Sequence, residues 1–227
     1  MDILLTTEFW AALGSIILAN VLLSGDNAVV IAMAARGLPA RRQKQAIVFG
    51  SAAAIVMRIV LTLIAVRMLG LPWLKLAGGL ALLWIGAKLL VDEPAQPDAD
   101  APPVGVGAAV RTILLADLVM SLDNVLAVAA AAQGNTLLLV IGLAVSVPLI
   151  VFGSTLILKV MERFPVIIIA GTALLGWLAG EMMLTDPALH GWFGELPESA
   201  VRIAGGIGAV LVVIVGKLLQ RRAKARA

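Results

Sequence analysis

Cysteine is absent from this 227-residue chain, and histidine occurs once, at His190. Disulfide bonds and thiolate metal sites are therefore excluded, and zinc or copper centres, which favour sulfur and imidazole ligands, are disfavoured. Charged residues make up only 14% of the chain and aromatic residues 4%. Nothing in the sequence resembles a nucleotide-binding loop, and no nucleophile is paired with a general base. We therefore expect neither ATP coupling within this chain nor an enzymatic activity.

Hydrophobic residues are what the chain has in excess. They make up 61% of it, against about 45–50% in a soluble domain, and the mean hydropathy is +1.05. We therefore expect an integral membrane protein. The net charge of +3 comes from basic residues in short loops and in the tail, a pattern that orients a membrane protein and does not favour nucleic-acid binding. The first residues, MDILLTTE, lack a positive n-region, so the first span is not expected to be a cleaved signal peptide.

Seven apolar segments are long enough to cross a bilayer, which takes about 20 residues. The predicted spans are 9–35, 45–69, 72–91, 108–132, 136–158, 165–184 and 199–219. The acidic, Pro- and Ala-rich segment 92–107 is too polar to span and is predicted to be a cytoplasmic linker. The chain then divides into a first unit 1–91, the linker, a second unit 108–184, an outer loop 185–198, and a seventh helix with a basic cytoplasmic tail, 199–227.

Lysine and arginine are distributed unevenly about these spans. With the N-terminus outside, thirteen of the 17 lie on the cytoplasmic side and three lie outside, while Arg58 lies within the second span. Cytoplasmic loops carry an excess of Lys and Arg. We therefore predict an outside N-terminus and a cytoplasmic C-terminus, which requires an odd number of spans.

A seventeen-residue pattern centred on Asp-Asn occurs twice, in spans one and four. ANVLLSGDNAVVIAMAA begins at Ala19, and ADLVMSLDNVLAVAAAA begins 97 positions later at Ala116. Weaker matches relate spans two and three to spans five and six, at Gly50 with Gly142 and at AGGLALLW with AGTALLGW. Because three spans is an odd number, the two halves must insert with opposite topology. The predicted fold is all-α, with seven transmembrane helices built from two inverted three-helix repeats plus one accessory helix, a common plan of transporters.

The duplicated motif places carboxylate and amide groups near the middle of the bilayer. An ionised carboxylate there costs about 2.5–3.5 kcal/mol, whereas a polar contact between membrane helices returns about 0.6 kcal/mol on average. Because the halves are antiparallel, we expect two polar layers separated by about 9 Å of helix. The predicted metal-binding set is Asp26 with Asp117 in the inner layer, Asn20 with Asp123 in the outer layer, and Asn27 and Asn124 beside the acids.

Oxygen ligands of this kind suit hard divalent cations, namely Mg²⁺, Ca²⁺ or Mn²⁺. The three acids contribute −3 and Arg58 contributes +1 if it faces the cavity, so one divalent cation would balance the remaining −2. Arg58 is a possible counter-ion that fills the site when the metal leaves. The alternative for Arg58 is a structural ion pair that holds spans two and one together. Glu181, near the outer end of span six, is a possible gate.

At LLSGDNAVVIA and DLVMSLDNVLAVA the chain resembles the TerC family of integral membrane proteins, which is related to the wider LysE superfamily. The resemblance covers nearly the whole chain and is to compact bacterial members of the YjbE type. The family name refers to tellurium resistance, but the resemblance implies a Mn²⁺ exporter of the bacterial inner membrane with no permanently bound cofactor. The motif positions that it carries over are Asn20, Asp26, Asn27, Asp117, Asp123 and Asn124.

We expect a secondary transporter whose two repeats rock about the site. Protonation from outside would release the metal, since carboxylates bind metal only when deprotonated. One alternative is a LysE-like exporter of a small organic solute, which predicts a roomier, more aromatic cavity with Trp84 and Trp177 as the main candidates to line it. Another is a non-transport membrane partner in tellurite or stress resistance, which predicts that substitutions of the Asp residues are tolerated.

Overall fold

The computed structural model describes residues 10, 13–18, 25–68, 71–91, 105–132, 135–189, 194 and 196–225. Inside its helices the side chains of 65–68, 123–124, 126–132 and 224 are not described. Every regular element within these ranges is helical, which confirms the all-α class for the described residues. The seven longest helices there are α1 Gly25–Ala35, α2 Ala40–Met68, α3 Leu74–Val91, α4 Val106–Ala132, α5 Thr136–Arg163, α6 Val166–Leu184 and α7 Glu198–Lys224.

Five helices in the described ranges are long and apolar enough to cross a membrane. They are α2 through Ala40–Ile64, α3, α5, α6, and α7 through Glu198–Ala223. Helix α1 is a shorter apolar helix of 11 residues; the predicted first span began at residue 9, and residues 19–24 lie outside the described ranges. Helix α4 has 27 residues, close to the predicted span 108–132. Helices α2 and α5 extend past their predicted apolar spans into basic turns, because helical hydrogen bonding continues where the chain leaves the apolar layer.

Short connections set the direction of successive helices. Asn135 caps α5, with its Oδ1 accepting hydrogen bonds from the amides of Leu137 at 3.0 Å and Leu138 at 3.1 Å. Helix α5 ends before Phe164 and Pro165, since a residue that precedes proline is disfavoured in the helical region. Only two residues, Phe164 and Pro165, therefore separate α5 from α6.

The helices of the two halves interlock, and their contacts come in matched pairs. The contact of α2 with α4 has its repeat counterpart in the contact of α5 with α1. In the same way, the contact of α3 with α4 has its counterpart in the contact of α6 with α1. A Cβ atom built on Gly50 would lie 2.6 Å from Ile113 Cδ1, and one built on Gly142 would lie 2.4 Å from Ile16 Cγ2. Ile16 and Ile113 are 97 positions apart, like the two Asp-Asn motifs, and Gly50 and Gly142 are repeat partners in sequence. The same close contact is therefore made once from each half.

Helix α7 packs on α6 and α3, beside the two halves. Its approach to α6 is at backbone distance: a Cβ atom on Gly176 would lie 2.4 Å from the carbonyl oxygen of Gly208, and one on Gly180 would lie 2.1 Å from that of Ala204. Small residues at such crossings allow close packing of membrane helices. Gly176 and Gly180 are therefore positions at which α6 and α7 pack closely.

Two polar contacts identify the ends of the helix bundle. At one end, the carboxylate of Asp186, just after α6, accepts hydrogen bonds from the amides of Trp73 and Leu76 at the start of α3, both at 2.9 Å. At the other end, Arg36 Nη2 donates a 2.7 Å hydrogen bond to the carbonyl oxygen of Leu89 in the last turn of α3. We call these the Asp186 end and the Arg36 end.

Candidate cation site

A buried ion pair lies where α2 crosses α4. The guanidinium of Arg58 contacts the carboxylate of Asp117 through Nη2 and Oδ1, and the two residues are 2% and 5% exposed. Ser121, one turn after Asp117 on the same face of α4, accepts a 3.0 Å hydrogen bond from Arg58 Nε and donates one of 3.3 Å to Asp117 Oδ2. Thr62 donates from Oγ1 to the carbonyl oxygen of Arg58 at 2.7 Å. The charge on α4 is thus held in a closed network of three side chains.

The first Asp-Asn pair lies beside this network. Asp26 is half-buried in the first turn of α1, and its Oδ1 accepts a 2.7 Å hydrogen bond from the backbone amide of Asn27. Asp26 is close enough to Arg58 and to Asp117 for its charge to interact with both. The positive charge of Arg58 attracts it, and the negative charge of Asp117 repels it. The carboxylate of the first motif therefore lies within electrostatic reach of the ion pair that Asp117 of the second motif forms.

The amide side chain of Asn27 is buried without a polar partner. It is 3% exposed, and within the part of the chain that the structure describes neither its Oδ1 nor its Nδ2 atom has a hydrogen bond. Leaving a buried polar group unsatisfied costs about 1–3 kcal/mol, and such groups in native structures call for an explanation. An amide oxygen next to a carboxylate is a common ligand of hard divalent cations. Asn27 thus fits the chemistry predicted for it.

A cavity of about 400 Å³ joins Asp26 to the Asp186 end of the bundle. Its inner part is apolar and contains two thioethers, those of Met120 and Met182, and its outer part carries charges of both signs. The residues that line it are Asp26, Lys75, Leu82, Met120, Leu178, Glu181, Met182, Thr185, Glu198, Val201 and Arg202. The predicted gate residue Glu181 therefore lies in the same cavity as Asp26.

The outer layer of the predicted metal set is not covered by the described residues. Asn20 lies outside them, and Asp123 and Asn124 lie in α4 at positions whose side chains are not described. His190 and the linker residues 92–104 are also outside. Among the described residues, no group of three or more His, Cys, Asp or Glu side chains could hold a metal ion. Inner-layer Asp26 and Asp117 lie near one another, and the roles assigned to all six motif residues stay predictions.

Arg58 forms an ion pair that its predicted structural role did not name. The structural alternative paired span two with span one, but the guanidinium contacts Asp117 of α4, the fourth span. The reason is the interlocked packing, which places the middle of α2 against α4. Ser121, whose hydroxyl bridges the pair, was not predicted as a site residue. Ser121 lies four residues after Asp117, which puts both on one helix face. That spacing was the sequence feature that could have predicted the contact.

Asp186 is a second residue that sequence reasoning missed. It is fully buried and accepts hydrogen bonds from the amides of Trp73, Leu76 and Ala188. Burial by itself raises its pKa, but these amide hydrogen bonds and one from Lys75 outweigh burial and hold the pKa below its ordinary value. Trp73 has a positive φ of 71°, a strained conformation for a bulky residue. The Asp186 carboxylate compensates for that strain by fixing the start of α3 to the end of α6.

Long apolar helices around a buried ionic network define a multi-pass integral membrane protein. Within that class the chain belongs to the TerC family, because the family model described as "Integral membrane protein TerC family" matches residues 5–224. It is 48% identical over 170 residues to the uncharacterized membrane protein YjbE of Bacillus subtilis (strain 168), covering 75% of this chain and 78% of that one. It is 25% identical over 174 residues to the inner membrane protein YgdQ of Escherichia coli (strain K12), covering 69% and 73%. No solved structure matches the chain.

Proposed function

We propose that this protein is a secondary transporter that exports a divalent metal cation, most readily Mn²⁺, through a site formed by the two Asp-Asn motifs. The observation that carries the proposal is the cavity from the Asp186 end to Asp26, at whose inner limit Asp26 lies beside the Arg58–Asp117 pair. Buried charges within a membrane are costly and are characteristic of substrate and ion pathways. Membership of the TerC family is consistent with membrane transport.

The transport cycle that we propose uses two inverted three-helix repeats. The matched contacts of Gly50 with Ile113 and of Gly142 with Ile16 support this arrangement, because a two-fold relation between the halves generates one contact from the other. In transporters of this design, one repeat rocks against the other around a fixed site near the midplane. Among the described helices, α7 packs mainly against α3 and α6, so we assign it the role of an accessory helix.

Arg58 has the role of a counter-ion in this proposal. Two carboxylates and one guanidinium give Asp26, Asp117 and Arg58 a net charge of −1. A divalent cation that binds both carboxylates must displace Arg58 from Asp117. When the cation leaves, Arg58 returns and neutralises the buried carboxylate, which lowers the energy of the empty site.

The choice of Mn²⁺ rests on the mixture of ligands near Asp26. Carboxylate and amide oxygens suit Mg²⁺, Ca²⁺ and Mn²⁺ alike. Met120 and Met182, whose side chains carry thioethers, line the same cavity and are 6% and 4% exposed. Thioether sulfur is a soft ligand that interacts better with transition metals than with Mg²⁺ or Ca²⁺. A site with oxygen ligands and nearby sulfur therefore favours Mn²⁺ over the two alkaline-earth cations.

Release is proposed to occur at the Asp186 end, which the distribution of Lys and Arg predicts to face outside. The cavity reaches Asp26 from this side, past Glu181 and the charged residues near the starts of α3 and α7. Protons that enter from outside would compete with the metal for the Asp26 carboxylate. Glu181 lies on this path and is proposed as the gate residue.

The test is Mn²⁺ flux in proteoliposomes that contain the purified protein. Wild-type protein is expected to move Mn²⁺ across the membrane and to acidify the compartment that the Mn²⁺ leaves. Asp26→Asn is expected to lower the flux at least 100-fold, because it removes a charged ligand. Glu198→Gln is the matched control: it makes the same change at the exposed rim of the same cavity, where Glu198 pairs with Arg202 at 2.6 Å. Equal flux in wild type and Asp26→Asn would overturn the proposal.

Export of a small zwitterionic solute is the second candidate, favoured by one observation. The outer cavity carries both signs of charge, and its volume of about 400 Å³ lies within the common range for small-molecule pockets. That candidate also predicts aromatic walls, but none of the described residues that line the cavity is aromatic. Trp177 instead packs against Gly205 of α7. Binding of an amino acid by the purified protein without added metal would favour this candidate.

A further inference from the structure

A second groove lies on the outside of the bundle, between the last turns of α3 and the first turns of α4. Its volume is about 430 Å³, and it is separate from the Asp26 cavity. The residues that line it are Trp84, Ile85, Lys88, Gly107, Ala108, Arg111, Thr112 and Leu115. We call it the Lys88 groove. It lies at the Arg36 end, where α3 finishes.

The groove has an apolar part and a basic part. Trp84 is 59% exposed and Leu115 is 39% exposed, and both lie further from the end of the bundle than the cations on their helices. One turn on, Lys88 Nζ lies 5.3 Å from the centre of the Trp84 ring, and Arg111 is exposed on the facing turn of α4. Within the ranges described, no carboxylate pairs with either cation.

This order of groups matches one ligand in the surroundings of a membrane protein. A phospholipid carries an acyl chain on the membrane side and a phosphodiester at the interface, and basic pockets between helices bind anionic head groups. Aromatic side chains such as Trp84 favour the same interfacial depth. The positive charges of Lys88 and Arg111 also repel one another, and an anion between them offsets that repulsion.

We propose that the Lys88 groove binds one anionic phospholipid, with the phosphodiester between Lys88 and Arg111 and an acyl chain along Trp84 and Leu115. The lipid would tie the end of α3 to the start of α4. Those helices belong to different halves of the bundle, so the lipid stabilises their relative position. This inference does not depend on the transported substrate.

Native mass spectrometry of the full chain, in detergent with equal amounts of phosphatidylglycerol and phosphatidylcholine, tests the proposal. Wild type is expected to retain one phosphatidylglycerol preferentially. The double variant Lys88→Gln, Arg111→Gln is expected to bind it roughly 30-fold more weakly, since each basic residue near an anionic head group contributes about fivefold. The matched control is Arg221→Gln, Arg222→Gln, which removes two exposed cations at the end of α7 and is expected to leave the preference intact.

Three outcomes would overturn the proposal. They are equal retention of the two lipids by wild type, an unchanged preference in the Lys88 and Arg111 double variant, and an equal loss in the α7 control. Displacement of the lipid by inorganic phosphate at the same concentration would also do so, because it would mean that the groove takes a free anion.

Fluorescence supplies a second measurement that does not depend on the charge variants. The chain has five Trp residues, so the difference between wild type and Trp84→Phe isolates the Trp84 signal. Phosphatidylglycerol brominated on its acyl chains should quench this difference signal at least twice as strongly as brominated phosphatidylcholine. Equal quenching by the two lipids would contradict the proposal.

Discussion

Asp117→Asn is the substitution whose effect follows most directly from the buried ion pair. It removes the Asp117 carboxylate from its contact with Arg58, which is 2% exposed, while keeping the size of the side chain at position 117. Removing one partner of a buried pair costs about 3–5 kcal/mol, because the other charge stays buried. Arg58 keeps its hydrogen bond to Ser121 and its attraction to Asp26. We therefore expect a loss near the lower limit, about 3 kcal/mol of unfolding free energy.

Removing both charges should cost much less than removing one. In Arg58→Met, Asp117→Leu, apolar side chains replace the pair, and such replacements of buried ion pairs are often neutral or stabilising. We expect the double variant to unfold within about 1 kcal/mol of wild type. Its Mn²⁺ flux should nevertheless be lost, because one carboxylate ligand and the counter-ion are gone. Recovery of stability without recovery of transport separates the structural role from the functional one.

The assay is unfolding by SDS titration in mixed micelles, monitored by the tryptophan fluorescence that reports on tertiary structure. The exposed pair of Arg202 and Glu198, at 2.6 Å with side chains 66% and 80% exposed, is the reference. Breaking it with Glu198→Gln should cost under about 1 kcal/mol, as is usual for surface pairs. The reasoning is refuted if Asp117→Asn costs no more than Glu198→Gln, or if the double variant is as unstable as the single one.

Three further predictions follow from other contacts. Gly208→Ala should destabilise the protein by about 1–3 kcal/mol, because its Cβ would lie 2.1 Å from a backbone oxygen of α6, whereas Gly206→Ala on the same helix, where the nearest atom is 3.8 Å away, should be nearly neutral in thermal melting. Asp186→Asn should lower stability at pH 7 and flatten its pH dependence. The lowered pKa of Asp186 gives wild type a contribution that is complete above the unfolded pKa of about 3.9 and is lost as the pH falls through the folded pKa; identical melting curves for the two proteins from pH 7 to pH 3 would contradict this. Met120→Leu should reduce the preference for Mn²⁺ over Ca²⁺ in competitive flux assays by several-fold, and an unchanged ratio would remove sulfur from the account of selectivity.

Helix positions were predictable from the sequence because apolar length and turn residues are local signals. The predicted span 72–91 corresponds to Leu74–Val91, and the span 165–184 corresponds to Val166–Leu184. The helix ends were less predictable, as in α2, which begins at Ala40 and not at residue 45. A hydropathy pattern marks where a helix enters the apolar layer, whereas the helix itself ends where its backbone hydrogen bonds end.

Site partners were harder to predict because they depend on which helices cross. The cost of burying Asp26 and Asp117 is visible in the sequence, and the charges of these two carboxylates interact in the structure. Their assignment to one polar layer stays a prediction. The ion pair of Arg58 with Asp117 was not named, since the sequence does not reveal that α2 crosses α4. Asp186 was missed because a carboxylate in a polar loop looks unremarkable until the start of another helix is found against it.

The two halves have similar helices but unequal charges, and this inequality bears on how tightly a cation is held. The position equivalent to Asp117 in the first motif is Asn20. Gly50 and Gly142 are 92 positions apart, and in the same register the position equivalent to Arg58 is Ile150. Each half therefore supplies one member of the buried pair, and the repeat counterparts of both members are neutral. In the proposed transport cycle, a cation at Asp26 and Asp117 would gain Coulomb energy from both carboxylates but would have to replace a guanidinium already bound to one of them. The net affinity is the difference between these two energies, so it is lower than the ligand count suggests. A transporter requires such a site, because a cation held by unopposed buried carboxylates would leave too slowly to be exported.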